Sequence, residues 1–226
     1  MKAVNVCSRC IVVAAVCAVA SSAMAATWTG AADACWTNAA NWAEGEVPGK
    51  YYAPDGTLVG AKEMTATFGA CSGVVEIDLD GLYSIGKVHV TGANAPRYTF
   101  GTSTTQLLPI EAVPGSSLNQ FTVDSSVARA PVVRAILGFG IGDVAGDTRV
   151  YLYNNSADTV VINDFGYMRR MISSGSPRTR ATFAGSGPIA VNGVWIKAPA
   201  DAVADGQSYI SSGPYVQQIV FVRRDL

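Results

Sequence analysis

Trp28, Trp36 and Trp42 fall within 15 positions, separated mostly by Gly, Asn, Asp, Ala and Thr, and they are three of the four tryptophans in the chain. Indole faces stack on the apolar C–H faces of sugars, and exposed aromatic clusters mark binding surfaces. The three are therefore candidate ligand-binding residues. The same residues suit a plainer task, covering the open apolar end of a β-structure, with Thr37, Asn38 and Asn41 making the turns between them. A second candidate surface is the run Arg169, Arg170, Arg178 and Arg180, with no acid between Asp164 and Asp201. Guanidinium groups at this density suit an acidic polysaccharide or a lipopolysaccharide. A solvated loop is the ordinary use of such a run.

Candidates for catalysis are sparse. Glu76, Asp78 and Asp80 share one side of an alternating run, about 7 Å apart in steps of two residues. Clustered carboxylates bind calcium or serve acid–base chemistry, but only with partners from other strands, so a solvated strand face is expected. Asp143 and Asp147 in GIGDVAGDT read as turn residues. His89 is the only histidine; Val88 and Val90 on either side read as inward, so His89 faces out. A Ser-His-Asp triad would need it, and no G-x-S-x-G elbow is present. One histidine with Cys35 and Cys71 is too few ligands for a zinc site. The sequence thus predicts no catalytic residue, no metal, no cofactor and no enzyme activity.

Residues 1–25 read as an export signal. Lys2 and Arg9 supply positive charge, Ile11–Ala20 a short apolar run, and Ala23-Met24-Ala25 a small-x-small cleavage site. The run is shorter than the roughly 20 residues a spanning helix needs, and no later segment reaches that length. Cleavage leaves 201 residues, 14 of them basic and 17 acidic, for a formal charge of −3. That balance argues against a nucleic-acid partner. The mature chain is expected to be one domain, 26–226, with 26–62 as its N-terminal cap segment, and to be secreted, extracellular or at the cell surface. Cys7, Cys10 and Cys17 leave with the signal. Cys35 and Cys71 remain as a disulfide candidate, worth about 3–4 kcal/mol if formed; two separate thiols are the alternative.

Positioning falls to β-strands. Apolar residues alternate with polar ones at Val75–Asp80, Lys87–Thr91, Gln120–Asp124 and Arg149–Tyr153. Val160 with Ile162, Ile189 with Val191, and the apolar run Val216–Val222 continue the series. Turn pairs such as Asp80-Gly81, Asn154-Asn155 and Gly187-Pro188 divide the runs. Gaps along Ile77, Val88, Phe121, Val150, Val160 and Ile189 cluster near 10 and 30 residues, as if some strands were adjacent sides of one coil and others a coil apart. An all-β fold follows, and periodicity alone leaves a β-solenoid and a β-sandwich both open. If Ile219–Val222 forms an uncovered edge, it should pair with another chain.

Four sequence elements carry a resemblance: Trp28-x-Gly30, Trp36-Thr37-Asn38-Ala39-Ala40-Asn41-Trp42, Val47-Pro48 and Ala66-Thr67-Phe68. Together they resemble the opening of secreted bacterial proteins with autotransporter-associated β-strand repeats. Thr182-Phe183-x-Gly185-Ser186-Gly187-Pro188-Ile189-x-Val191-x-Gly193 is similar to that family's glycine repeat. The resemblance covers 27–69 and, more weakly, 181–193. It implies a right-handed parallel β-helix (a solenoid), a surface location and a passenger-like role in adhesion or surface structure. A carbohydrate-binding module is the second expectation. A polysaccharide-cleaving β-helix is the third, and it requires a carboxylate–arginine cluster in one groove.

Overall fold

The computed structural model describes residues 25–61, 63–111, 120–139, 148–167, 179–195 and 218–221. Strands in chain order are β1 (Ala25–Thr27), β2 (Gly49–Tyr52), β3 (Leu58–Ala61), β4 (Thr65–Phe68), β5 (Glu76–Ile77), β6 (Leu82–Ser84), β7 (Lys87–Val90) and β8 (Thr99–Phe100). They continue with β9 (Leu107–Ile110), β10 (Gln120–Val123), β11 (Val132–Phe139), β12 (Thr148–Asn154), β13 (Val160–Tyr167), β14 (Thr179–Ala184), β15 (Ile189–Trp195) and β16 (Gln218–Phe221). Among the described residues the only helical element is one 3-10 turn, Ala39–Asn41, capped by the Asn38 side chain. The fold is all-β, as the alternating pattern predicts.

Two long sheets, every ladder of them parallel, dominate. One has the order β1-β4-β7-β10-β12-β14-β16; the other runs β15-β13-β11-β8-β5, with β9 also on β11. A sandwich built from hairpins would show antiparallel ladders instead. From β10 onward the chain alternates between the two sheets. Paired strands within a sheet stand about one long spacing apart: Val88 opposes Phe121, which opposes Leu152, and Val160 opposes Ile189. The spacing near 30 residues is therefore the step along one sheet, and the spacing near 10 takes the chain from one sheet to the other.

In-register burial explains why the ladders hold. Ala26, Ala66, Val88, Phe121, Leu152 and Phe183 form one inward row across the seven-stranded sheet, each buried. Ile77, Phe100, Val133 and Ile162 form its counterpart in the other sheet, also buried. Phe68 with Phe100 (ring centroids 4.9 Å apart) and Phe165 with Phe183 (5.3 Å) join the two sheets into one core. A one-residue slip in any strand would turn its apolar row toward water, so the burial fixes the register. Strand β11 carries one extra residue against β13 between Val133 and Ile136, which the short alternating pattern did not anticipate.

The expected cap segment, 26–62, divides in two. Residues 49–61 form the hairpin β2–β3, which pairs antiparallel with β6 in a separate three-stranded sheet. Tyr52 and Leu58 face each other across that hairpin and are the exposed large hydrophobic side chains among the described residues. Residues before 49 fold over the start of the two long sheets. No described helix is long and apolar enough to cross a membrane. Apart from Ala25, the expected export signal lies outside the described residues.

Candidate functional site

The N-terminal residues pack into one aromatic knot. Trp28, Trp36 and Trp42 are at most 2% exposed. Trp42 meets Trp28 and Trp36 edge-on at 5.1 and 5.0 Å, and Phe68 lies within 6.0 Å of all three. Each indole N–H donates to a backbone carbonyl: Trp28 to Val74 (2.8 Å), Trp36 to Pro48 (3.0 Å) and Trp42 to Trp36 (2.8 Å). No indole face is left for a pyranose. The sugar-platform expectation for Trp28, Trp36 and Trp42 is thereby corrected in favour of the cap: hydrophobic burial and three backbone acceptors take all of each ring.

The motif residues between the tryptophans have matching duties. Asn41, fully buried, accepts from the backbone N–H of Ala32 and Asp33 on Oδ1 and donates from Nδ2 to Asp33 Oδ1 and the Cys35 carbonyl. Gly30 has φ +57°, and a Cβ there would lie 2.5 Å from the Val74 carbonyl oxygen. That is why a glycine follows Trp28 at this spacing. The chain then returns antiparallel along β1. Thr29 N–H donates to the Asn41 carbonyl, Ala43 N–H to the Thr27 carbonyl, and Thr27 N–H to the Glu44 carboxylate (2.7 Å). The same segment therefore covers the core and blocks the free edge of the seven-stranded sheet.

Cys35 and Cys71 are free thiols, which corrects the disulfide expectation. Cys71 Sγ donates to the Thr29 carbonyl (2.9 Å) and accepts from Gly73 N–H, so it is already engaged inside the cap. Cys35 sits outward, bridged through its backbone to Asp78. Partial burial, then the charges of Asp33, Asp78 and Asp80, push the Cys35 thiol pKa up.

The carboxylates of the Glu76–Asp80 run face outward as expected, but they are not bare. Glu76 pairs with Arg134 of β11, and Gln106 Nε2 donates to both Asp78 and Asp80. Both members of the Glu76–Arg134 pair are well exposed, so it ties strands together rather than building a reactive centre, and it contributes at most about 1 kcal/mol. No group of three or more metal-ligating side chains occurs among the described residues.

The polar face of the seven-stranded sheet gathers residues that the sequence alone did not connect. Register sets Thr65, Lys87, Gln120, Tyr151 and Thr182 in one row across β4, β7, β10, β12 and β14. A second row holds Thr67, His89, Thr122 and Tyr153. All of these are half-buried, while their chain neighbours Val88, Phe121 and Leu152 are buried in the core. Tyr151 and Tyr153 lie with ring centroids 5.5 Å apart and planes 10° from parallel. His89 Nε2 meets Asp124 Oδ2 at 2.9 Å. Burial works against ionisation of Asp124, but hydrogen bonds from Thr91 and His89 and the charges of His89 and Lys87 outweigh it and hold its pKa below the usual carboxylate range. His89 is outward, as read from the sequence.

Of the arginine run, Arg180 lies in β14, its register position opposite Arg149 of β12. Arg169, Arg170 and Arg178 lie outside the described residues, as do Asp143 and Asp147. The signal that sequence reading passed over was Tyr151-Leu152-Tyr153: two aromatics on the polar side of a strand whose other side is Val150 and Leu152. No protein-family model matches the chain, and no curated protein or solved structure matches it significantly.

Proposed function

We propose that this chain is a secreted, non-enzymatic β-solenoid with a structural or adhesive role at the cell surface, built like the proteins with autotransporter-associated β-strand repeats. The observation that carries the reading is the N-terminal knot. Trp28, Gly30, Trp36, Asn41, Trp42, Pro48 and Phe68, drawn from four separate elements of the resemblance, converge on one packed and edge-blocking unit. Such a unit suits a stack of β-coils, whose first layer has an apolar face and a bare strand edge to cover. The two parallel sheets are then the long sides of the coils. Outward carboxylates held by Gln106 and Arg134, and a histidine held by Asp124, favour a scaffold over a catalyst.

The test is cellular. Cells making the full chain are labelled intact with antibody and fractionated, and their adherence is compared with that of cells lacking the gene. Surface labelling with reduced adherence of the deletion strain is the expected result. Retention in the cytoplasm with residues 1–25 uncleaved would overturn the reading. So would release of reducing ends from polysaccharides by the purified protein.

A further inference from the structure

We propose that the outer edge of β3 is a self-association site whose partner is β3 of a second copy of this chain, added antiparallel about a two-fold axis. This deepens the adhesive reading by naming a partner, and its use at a surface rests on that reading; the pairing itself follows from the hairpin. β2 is flanked on both sides, by β3 and β6, whereas among the described residues β3 has a strand on one side alone. Leu58, Gly60 and Ala61 are exposed and Val59 is half-buried. Sheet edges are normally guarded by charge, proline or a covering segment. Residues 41–43 supply such a cover for β1, but β3 reads Leu-Val-Gly-Ala, with no charge and no proline. Its flank is apolar as well: Leu58 faces the exposed Tyr52, whose ring meets Tyr83 edge-on at 5.8 Å.

Hydrogen-bond direction decides which backbone groups the edge offers. Ala53 N–H donates to the Thr57 carbonyl, so the next bonded pair along the hairpin is Tyr51 with Val59, and Tyr52 with Leu58 between them is a non-bonded pair. Tyr52 N–H accordingly turns the other way and donates to the Gly81 carbonyl (2.8 Å). The N–H and C=O of Leu58, and of Gly60 two residues on, therefore point off the free edge. A second β3 placed antiparallel with Val59 opposite Val59 satisfies all of them: Leu58 of each copy pairs with Gly60 of the other, on either side of the axis. The same register fits the side chains. Leu58 of one copy shares a face with Gly60 of the other, a position that tolerates no side chain, since a Cβ there would lie 2.1 Å from the Gly49 carbonyl oxygen. A leucine thus meets a gap twice, and the two Val59 side chains meet on the opposite face. That self-complementarity favours a second copy over an unrelated strand. Area sets the strength. Four residues span about 13 Å of strand, too short to bury the roughly 800 Å² per partner of a standard stable interface. The pairing is therefore weak in solution and reinforced where many copies stand on one surface.

The experiment follows sedimentation of the protein, purified from cells expressing the full chain, as its concentration is raised. The expected result is reversible dimerisation with a dissociation constant on the order of 100 μM. Leu58→Lys sets a charge on the edge, opposite Gly60 of the second copy and in the row of that copy's Lys50, and should weaken the dimer at least about tenfold. Circular dichroism and melting confirm that the variant keeps its fold. Register is read with cysteines introduced on a Cys35→Ser background. Val59→Cys faces its own counterpart at about 4.5 Å between Cα atoms, within reach of a disulfide, whereas Leu58→Cys faces Gly60 instead. Mild oxidation should link Val59→Cys into dimers at least about tenfold faster than Leu58→Cys, with the bridge between the introduced cysteines confirmed by peptide mass. A monomer at every concentration, undiminished association of folded Leu58→Lys, or equal linkage of the two cysteine variants would each overturn the site. Surface labelling and adherence of cells are separate readouts, so failure here leaves the structural reading standing, and failure there leaves a measured dimer intact.

Discussion

Trp36 shows how a residue read as a ligand contact becomes a structural one. Its indole is fully buried and its N–H is spoken for, so Trp36→Ala removes both the contact area and the bond to the Pro48 carbonyl. The expected cost is about 3–5 kcal/mol, seen as a lowered midpoint in thermal or urea unfolding. Asp33 carries the acid response of the cap. Hydrogen bonds from Asn38, then Asn41 and the Cys35 backbone N–H, lower its pKa. A carboxyl lowered on folding contributes stability above its ordinary value near 4 and loses it as pH falls through the folded value. Asp33→Asn should therefore unfold more easily at neutral pH and show a shallower loss of stability below about pH 4, as read by melting temperature against pH. Cys35 makes a third residue-scale prediction. Though exposed, its raised pKa keeps it a thiol at neutral pH, so alkylation by iodoacetamide, followed by peptide mass, should be slower than for a free cysteine and speed up only in alkali.

At the scale of elements, the glycine motif of 182–193 has a mechanical origin. The turn from β14 to β15 lies directly on the turn from β12 to β13. Gly185, at φ +117°, would place a Cβ 2.0 Å from the Asn154 carbonyl oxygen, and Gly187 N–H donates to that same carbonyl at 2.8 Å. Asn154 itself is buried, donating to the carbonyls of Asp158 and Pro188 while Ser156 donates back to it. Gly185→Ala should cost about 2 kcal/mol or more, through both the positive φ and the clash, measured as a shift in the urea midpoint. Alternation had marked these strands correctly, because it reports which side chain faces the core. It passed over β11, where Arg134 faces outward between the buried Val133 and Ala135 and the bulge breaks the register with β13. It also passed over β1 to β3, which are short or bounded by glycines, so that few residues carry the period.

For the molecule as a whole, the N-terminal segment covers one end of the seven-stranded parallel sheet. Among the described residues, the return of 41–43 along β1, with Glu44 on the Thr27 N–H, covers the β1 edge of the seven-stranded sheet. Trp28→Ala/Trp42→Ala should loosen this return and uncover both Phe68 and the β1 edge. The expected outcome, at pH 7, is more concentration-dependent association in light scattering and more binding of a hydrophobic dye than the wild type shows. A variant that unfolds but stays monomeric would show that the segment stabilises the core without guarding the edge.

Local chemistry was legible in the chain: the strand period, the turn pairs, the outward His89 and the spacings near 10 and 30 residues follow from which side chains avoid water. What the sequence left open was every fact that depends on which strands meet. The parallel sense of the ladders, the two free thiols, the burial of all three indoles and the row joining Lys87, Gln120 and Tyr151 are set by contacts between residues tens of positions apart. A side chain's alternation tells which side of its strand it takes; only the packed sheets determine what lies beside it.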